Sequence, residues 1–386
     1  MLKIAMIAGE ASGDSLASDL MESIKSQYPD AQFVGIGGVK MQEQGFVSWY
    51  DINRLSIIGV IEVLKNLPQL LWLRYRIIKD IIAYKPDIFI GIDAPDFNFY
   101  IENQLKRRGI KTIHYISPSL WAWRYERIFK IKKSTDAVLC LFPFETEMYH
   151  EQGIKSYFIG HPLASKIEYT PDTLAYRKQF LDDAEDSLVL TILCGSRRHE
   201  ITMLALEAIK AANIVSKNLP DSKKLIVLFP VSQKMAPILE SELEKLPVDF
   251  IYKIIINNTL SAIKACDISL VKSGTVSLEV ALCKKPMVVF YKLQPLSAYF
   301  IAKRLTIKFV GLANIIASKI GLIPVVPELI QDSANATTIA DTILSIYNDK
   351  ILQQEMMTQF QKIHEALHRP VNYKNIINQA ISTTLV

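Results

Sequence analysis

An apolar run at residues 87–90 ends in Gly91-Ile92-Asp93-Ala94-Pro95-Asp96-Phe97-Asn98. A strand that stops in Gly-x-Asp sets a carboxylate at its carboxyl end, the edge where parallel α/β sheets bind ligands. Pro95 cannot extend a ladder and presets a turn. Asp93 is therefore held on a short, stiff connection, where it can take a proton from a substrate hydroxyl. The plainer reading of Asp93 and Asp96 is a cap for the next helix. The first apolar run ends in Gly9-Glu10-Ala11-Ser12-Gly13-Asp14. This loop lacks the Gly-x-Gly-x-x-Gly spacing of dinucleotide sites. Glu10 and Asp14 would repel a phosphate, so a sugar hydroxyl suits Glu10, Ser12 and Asp14 better, with a helix cap as the ordinary alternative for Ser12 or Asp14. Gly35-Ile36-Gly37-Gly38 either lets a ligand approach the backbone or is a simple turn. Ser117, Trp121, Trp123 and Arg124 follow another apolar run. They suit a sugar or headgroup wall, and equally a domain interface.

The second half carries two loops of a different kind. In Leu193-Cys194-Gly195-Ser196-Arg197-Arg198-His199-Glu200, Gly195 permits close backbone approach and the amides of a following helix would face an anion. Arg197 adds a permanent, fork-shaped charge for phosphate. In Ser273-Gly274-Thr275-Val276-Ser277-Leu278-Glu279, Ser273 and Thr275 can donate to phosphate oxygens. Glu279, one turn in, can accept from two ribose hydroxyls. Each loop also reads as a capped helix with solvated charges; two of them in one half favour a nucleoside diphosphate. Residues 55–76 are apolar on more than one helical face, through Ile58, Val60, Val63, Leu64, Leu67, Leu70, Leu71 and Trp72, with Lys65, Arg74, Arg76 and Lys79 around them. That pattern suits a helix lying in a membrane interface; a helix packed in a core or dimer interface is the alternative.

The elements that must position these loops alternate. Strands are expected near 3–8, 32–36, 87–92, 111–116, 137–142 and 157–159, then near 188–194, 224–229, 249–252, 267–271 and 286–291. Helical stretches such as 15–27, 97–108, 143–152, 199–217, 275–282 and 350–367 lie between or after them. Such alternation means an α/β fold of parallel sheets with helices on both faces. Two units in series make an interdomain cleft the expected site. Gly160-His161-Pro162-Leu163 punctuates the boundary. The expected division is 1–164, 165–350 and a helical segment, 351–386, packing back on the first domain.

The bulk numbers agree with this reading. The chain has 386 residues, 50% hydrophobic and 22% charged, with formal net charge +5, and that length suits two cores better than one. Mean hydropathy is +0.18, yet Lys65 and Pro68, or Lys308 and Lys319, break every run approaching the ~20 apolar residues of a membrane span. No Lys/Arg block argues for nucleic acid. The first residues run into Glu10 and Asp14 without signal-peptide architecture. Cys140, Cys194, Cys266 and Cys283 are scattered singly, with neither metal nor disulfide spacing, as expected of buried thiols in a reducing compartment.

The segments 9–14, 35–38, 91–98, 114–124, 160–163, 195–197 and 273–279 resemble, in order, blocks of the lipid-A-disaccharide synthase family. The resemblance spans nearly the whole chain. It implies the two-Rossmann glycosyltransferase architecture called GT-B, with no cofactor and no metal; Asp182-Asp183 lacks the glycine approach of a metal loop. It implies transfer of 2,3-diacylglucosamine from UDP-2,3-diacylglucosamine to the 6-hydroxyl of 2,3-diacylglucosamine 1-phosphate, with inversion, giving UDP and a β-1,6 disaccharide. On this resemblance Asp93 is the base. Arg197, with Gly195, Ser196, Ser273, Gly274 and Thr275, meets the diphosphate. Glu279 orients the ribose, and Asn314, Glu328 and Gln331 face the donor. Glu10, Ser12, Gly13, Asp14, Asn98, Ser117 and Trp121 fall on the acceptor side. The resemblance also implies peripheral association with the cytoplasmic face of the inner membrane of a Gram-negative bacterium, and leaves a homodimer open. The sequence departs from the family where Cys194 and Ala313 replace usual prolines, which softens those loops, and where 318–326 is longer. Two other readings remain. One is another GT-B enzyme, either a UDP-N-acetylglucosamine transferase acting on a polyprenyl lipid or a UDP-sugar 2-epimerase. The other is an inactive surface protein that only binds nucleotide sugar or lipid.

Overall fold

Short runs of Ile, Val, Leu and Phe, buried on both faces, build the strands, as parallel sheets covered by helices require. The computed structural model describes residues 1–55, 60–122, 124–181, 186–293, 308–369 and 373–382, with side chains left out at 60–66, 373–374 and 380–382. By its contacts the chain forms two units, Met1–Pro162 with Arg369–Val386, and Leu163–His368.

In the first unit β1 (Lys3–Ala8), β2 (Gln32–Gly37), β3 (Val47–Asp51), β4 (Ile88–Ile92), β5 (Lys111–Tyr115), β6 (Ala137–Cys140) and β7 (Lys155–Phe158) form one sheet. Its order is β3-β2-β1-β4-β5-β6-β7 and every pairing is parallel. The order reverses between β1 and β4, and ligands bind beyond the carboxyl ends at such a switch point. Those two ends carry Gly9-Glu10 and Asp93. Ile4, Met6, Ile88, Ile90 and Ile92 pack on one face. Ala5, Ile7 and Phe89 meet Ile77 and Ile81 on the other. The C-terminal helix Tyr373–Ser382 adds Ile376 and Ile377 to the first of these cores.

The second unit repeats the plan. β8 (Ser187–Leu193), β9 (Lys224–Val231), β10 (Ile251–Ile256), β11 (Ile268–Lys272), β12 (Met287–Tyr291) and β13 (Glu328–Ile330) are parallel in the order β10-β9-β8-β11-β12-β13. Its switch point lies between β8 and β11, which run into Gly195 and Ser273. The helix Lys350–Leu367 buries Met356, Phe360, Ile363 and Leu367 in this unit, so the chain returns to the first unit after His368, later than the residue 351 expected.

Several elements differ from the reading of the sequence. β3 and β13 are unannounced: β3 is an edge strand with half-buried Ser48, Trp49 and Tyr50 in place of a continuous apolar run, and β13 has only three residues. β10 begins at Ile251 and runs on to Ile256. The first helix starts at Ala11, so Ser12, Gly13 and Asp14 lie in its first turn and not in an open loop. The helix after β4 starts at Pro95, whose fixed φ and missing N–H fit a first helical position.

Candidate functional site

Asp93 and Ala94 both have positive φ, 48° and 43°, and Ile116 at the end of β5 has φ 77°. Such backbone is unfavourable for residues with a Cβ, most of all a β-branched one. It persists where the surroundings over-determine it, which happens most often at functional sites. Here the Asp93 N–H donates to the Tyr115 carbonyl at 3.0 Å. Asn98 Nδ2 donates to the carbonyls of Asp93 (2.9 Å), Ile92 (3.2 Å) and Ile7 (3.3 Å). Asn98 is fully buried, so its amide holds the Asp93 loop from beneath; its side chain is spent on backbone. The Asp93 carboxyl is half-buried. Burial pushes its pKa up and the neighbouring Glu10 adds to this, while His114 opposes. A carboxylate with raised proton affinity is a better base.

Around Asp93 the other acceptor-side residues divide. Glu10 and Ser12 are exposed, and Ser12 Oγ donates to Glu10 Oε1. Gly13 and Asp14 are buried. The Asp14 carboxylate accepts from the N–H groups of Gly38 (2.8 Å), Lys40 (3.1 Å) and Met41 (3.2 Å). It therefore caps the helix Val39–Glu43, and the 35–38 segment is the turn that this cap secures. Ser117 Oγ lies 2.8 Å from the Tyr149 hydroxyl, and Trp121 Nε1 donates to Glu145 Oε1 at 3.2 Å. Glu145 is buried, and desolvation raises its pKa to about 8. The polar atoms of Ser117 and Trp121 thus bond within the unit. Trp123 lies outside the described residues.

In the second unit Gly195 has φ 119°, and a Cβ there would stand 2.3 Å from Glu200 Oε2. Glu200 Oε2 accepts from the backbone N–H groups of Ser196 (3.0 Å) and Arg197 (3.4 Å). Its Oε1 lies 3.1 Å from Lys272 Nζ and 3.6 Å from Arg197 Nη1. The loop amides expected to face an anion are therefore turned to Glu200. The exposed Arg197 guanidinium and the half-buried Lys272 ammonium are two charges near this loop that an anion can use. Sequence reading passed over Glu200 and Lys272. An acidic residue three after a helix cap was the available signal for the first, whereas Lys272 only acquires meaning through the pairing of β11 with β8.

Ser273 Oγ donates to the Val310 carbonyl at 2.8 Å, Gly274 has φ 154°, and Thr275 is exposed. Glu279 is only partly exposed, and burial pushes its pKa to about 7. Glu328 accepts from the N–H groups of Val310 (2.7 Å) and Gly311 (3.0 Å), and from Asn314 Nδ2 (2.8 Å). Buried Asn314 also exchanges bonds with the backbone of Val326. Gln331 Oε1 and Nε2 bond the N–H and carbonyl of Leu293. These three side chains fasten the segments beside the 273–279 loop.

The helix Val60–Tyr84 buries Leu73, Ile77, Ile78 and Ile81. Its opposite side exposes Leu67 (41%), Leu71 (50%), Trp72 (55%) and Tyr75 (60%), with Leu70 half-buried. Ile58 lies outside the described residues, and so do the side chains of Val60, Val63 and Leu64. Among the described residues no helix is long and apolar enough to cross a membrane.

Two doubly wound parallel sheets in series, with a carboxylate loop at the switch point of the first and glycine-turn loops at that of the second, define the GT-B class. Solved structures bear out the fold. Acinetobacter baumannii MurG matches with TM-score 0.57 at 13% identity over 99% of this chain and all of that one. The UDP-GlcNAc 2-epimerase of Neisseria meningitidis, solved with UDP-GlcNAc, matches with TM-score 0.61 at 11% identity over 99% and 100%. A fold shared by a transferase-like architecture and an epimerase does not choose the reaction. Sequence does: the family model of Lipid-A-disaccharide synthetase matches residues 4–381. The lipid-A-disaccharide synthase of Hydrogenovibrio crunogenus is 44% identical over 94% of this chain and 95% of its own length. That of Methylobacillus flagellatus is 39% identical over 97% of both. The chain belongs to the lipid-A-disaccharide synthase family.

Proposed function

We propose that this chain transfers 2,3-diacylglucosamine from its UDP derivative to the 6-hydroxyl of 2,3-diacylglucosamine 1-phosphate, forming a β-1,6 disaccharide 1-phosphate and UDP. Asp93 takes the proton of the 6-hydroxyl as that oxygen attacks the anomeric carbon. The bond from the anomeric carbon to the diphosphate oxygen breaks on the opposite face, its electron pair leaves with UDP, and the configuration inverts. Arg197, assisted by Lys272, offsets the charge growing on the leaving diphosphate, and Thr275 donates to it. Glu279 accepts from the ribose. Glu10 and Ser12 present polar groups to the acceptor sugar, while Asn98, Asp14, Asn314, Glu328 and Gln331 act by holding loops. The exposed edge Leu67–Leu71–Trp72–Tyr75 lies in the membrane surface that holds the acylated substrates.

The observation that carries this reading is the Asp93 loop. A half-buried carboxylate of raised proton affinity sits on strained, multiply bonded backbone at the switch point of its sheet. The test is UDP release by purified protein with and without the diacylated acceptor. Release should depend on the acceptor, and Asp93→Asn should lower it by about 10²–10⁴-fold with UDP binding intact. Near-normal release by folded Asp93→Asn removes the base role, and acceptor-independent release removes the transfer.

A further inference from the structure

The carboxyl end of β4 rests on a buried polar cluster that the chemistry above leaves unused. Gly91 of β4 pairs with His114 of β5. His114 Nδ1 lies 2.7 Å from Glu102 Oε1, and both side chains are fully buried. Gly91 makes the room: a Cβ there would stand 2.2 Å from Glu102 Oε1 and 3.0 Å from Asn98 Cβ. Asn98 and Glu102 are one turn apart on one helix face, and Asn98 is the residue that donates to the Asp93 carbonyl. Glu102 Oε2, His114 Nε2 and Asn98 Oδ1 are buried without a hydrogen-bond partner in the protein. Buried polar atoms are as a rule bonded. Three unmet ones gathered around a single catalytic loop mark a cluster kept for something other than stability, since apolar side chains of similar volume would serve packing as well or better.

We propose that Glu102 and His114 form a positioning pair that keeps Asp93 ionised and ready to take the acceptor proton. The inference rests on the reading of Asp93 as the base. Glu102 accepts from the His114 Nδ1–H at 2.7 Å, which fixes the ring. His114, on the strand beside β4, lowers the proton affinity of the Asp93 carboxyl. It works against burial and the Glu10 charge, both of which push the Asp93 carboxyl up. Burial pushes the Glu102 carboxyl up, against the opposing pull of His114 and of Lys106 one turn beyond. Tyr149 approaches from the helix after β6, and desolvation keeps it and the neighbouring Glu145 protonated, so neither offsets the pair.

The test is the pH profile of kcat/KM for acceptor-dependent UDP release. In His114→Asn and in Glu102→Gln the acid limb should move up by about one pH unit, with UDP affinity unchanged. The double variant His114→Asn/Glu102→Gln keeps a neutral hydrogen-bonding pair and should show the same shift if either single variant fails to fold. An acid limb at the wild-type position in a folded variant overturns the proposal, whatever the loss of rate. Asp93→Asn in the same assay separates the two readings. Inactive Asp93→Asn with an unmoved acid limb in the pair variants sinks the pair alone, whereas active Asp93→Asn sinks the base and the pair with it.

Discussion

Glu279 is where a single side chain makes the sharpest demand. Burial pushes its carboxyl up to about 7, and in the ribose-binding role proposed for it only the ionised form can accept from both hydroxyls. UDP should therefore bind more tightly as pH rises through about 7, and Glu279→Gln should bind it more weakly and with that dependence lost; calorimetric titration with UDP across this range reads both. Residue by residue, the sequence disclosed which strand ends carry charge: Asp93, Arg197 and Glu279 stand where spacing put them. It could not disclose direction. Asp14, Asn98, Asn314, Glu328 and Gln331 have the same chemical types as ligand-binding side chains, but each turns to a nearby backbone group left without a partner by a turn or helix end. Only the folded geometry separates the two uses. Cys194 is buried, and desolvation pushes its thiol up to about 12, so it packs as an inert apolar group.

At the scale of elements, Glu328 is the clamp that ties the start of β13 to the 310–311 backbone. Glu328→Ala leaves the Val310 and Gly311 N–H groups without their acceptor and removes one of the two acceptors of Asn314 Nδ2. It should destabilise the second unit by about 1–3 kcal/mol, read as a lower urea midpoint, while the first unit is unaffected. The helix Val60–Tyr84 makes a different prediction. Its inner face is satisfied by the core, so the Leu71 and Trp72 side chains have no packing role that Ser would spoil. Leu71→Ser with Trp72→Ser should leave stability within about 0.5 kcal/mol and shift the protein from anionic liposomes to the supernatant; unchanged sedimentation removes the membrane role. Pro68 lies within this helix, where burial of Leu73, Ile77 and Ile81 carries the helix past a residue that disfavours it. The central strands were legible because both their faces are buried and their apolar runs are unbroken. The edge strands β3 and β13 were not, since one free edge and mixed burial leave too short an apolar signal.

For the whole molecule, the alternation of strands and helices in two halves was legible, but the repeated 3-2-1-4 strand order was not, since alternation does not say which strands pair. The late return of the chain was not, because the helix Lys350–Leu367 is amphipathic and nothing in its pattern says which core it faces. His161, beside the first crossing between units, is buried, and desolvation lowers its pKa to about 4. The unfolded chain binds that proton near 6.5, so stability present above that value is lost as pH falls toward 4. Glu145 acts in the opposite direction over an overlapping range: its carboxyl is raised from 4.5 to about 8, so its share of stability, full below about 4.5, is lost as pH rises through about 8. Between about pH 6.5 and 4.5 the two effects oppose each other, so urea midpoints should change little in wild type, and His161→Phe, which removes the acid-side loss, should make them rise as pH falls through that range. The account as a whole stands on acyl-sugar transfer, and mass detection of products from the purified protein with UDP-2,3-diacylglucosamine and 2,3-diacylglucosamine 1-phosphate tests it most directly. It predicts a tetra-acylated disaccharide 1-phosphate accumulating one for one with UDP. UDP bound without turnover, or released with no disaccharide formed, would contradict it.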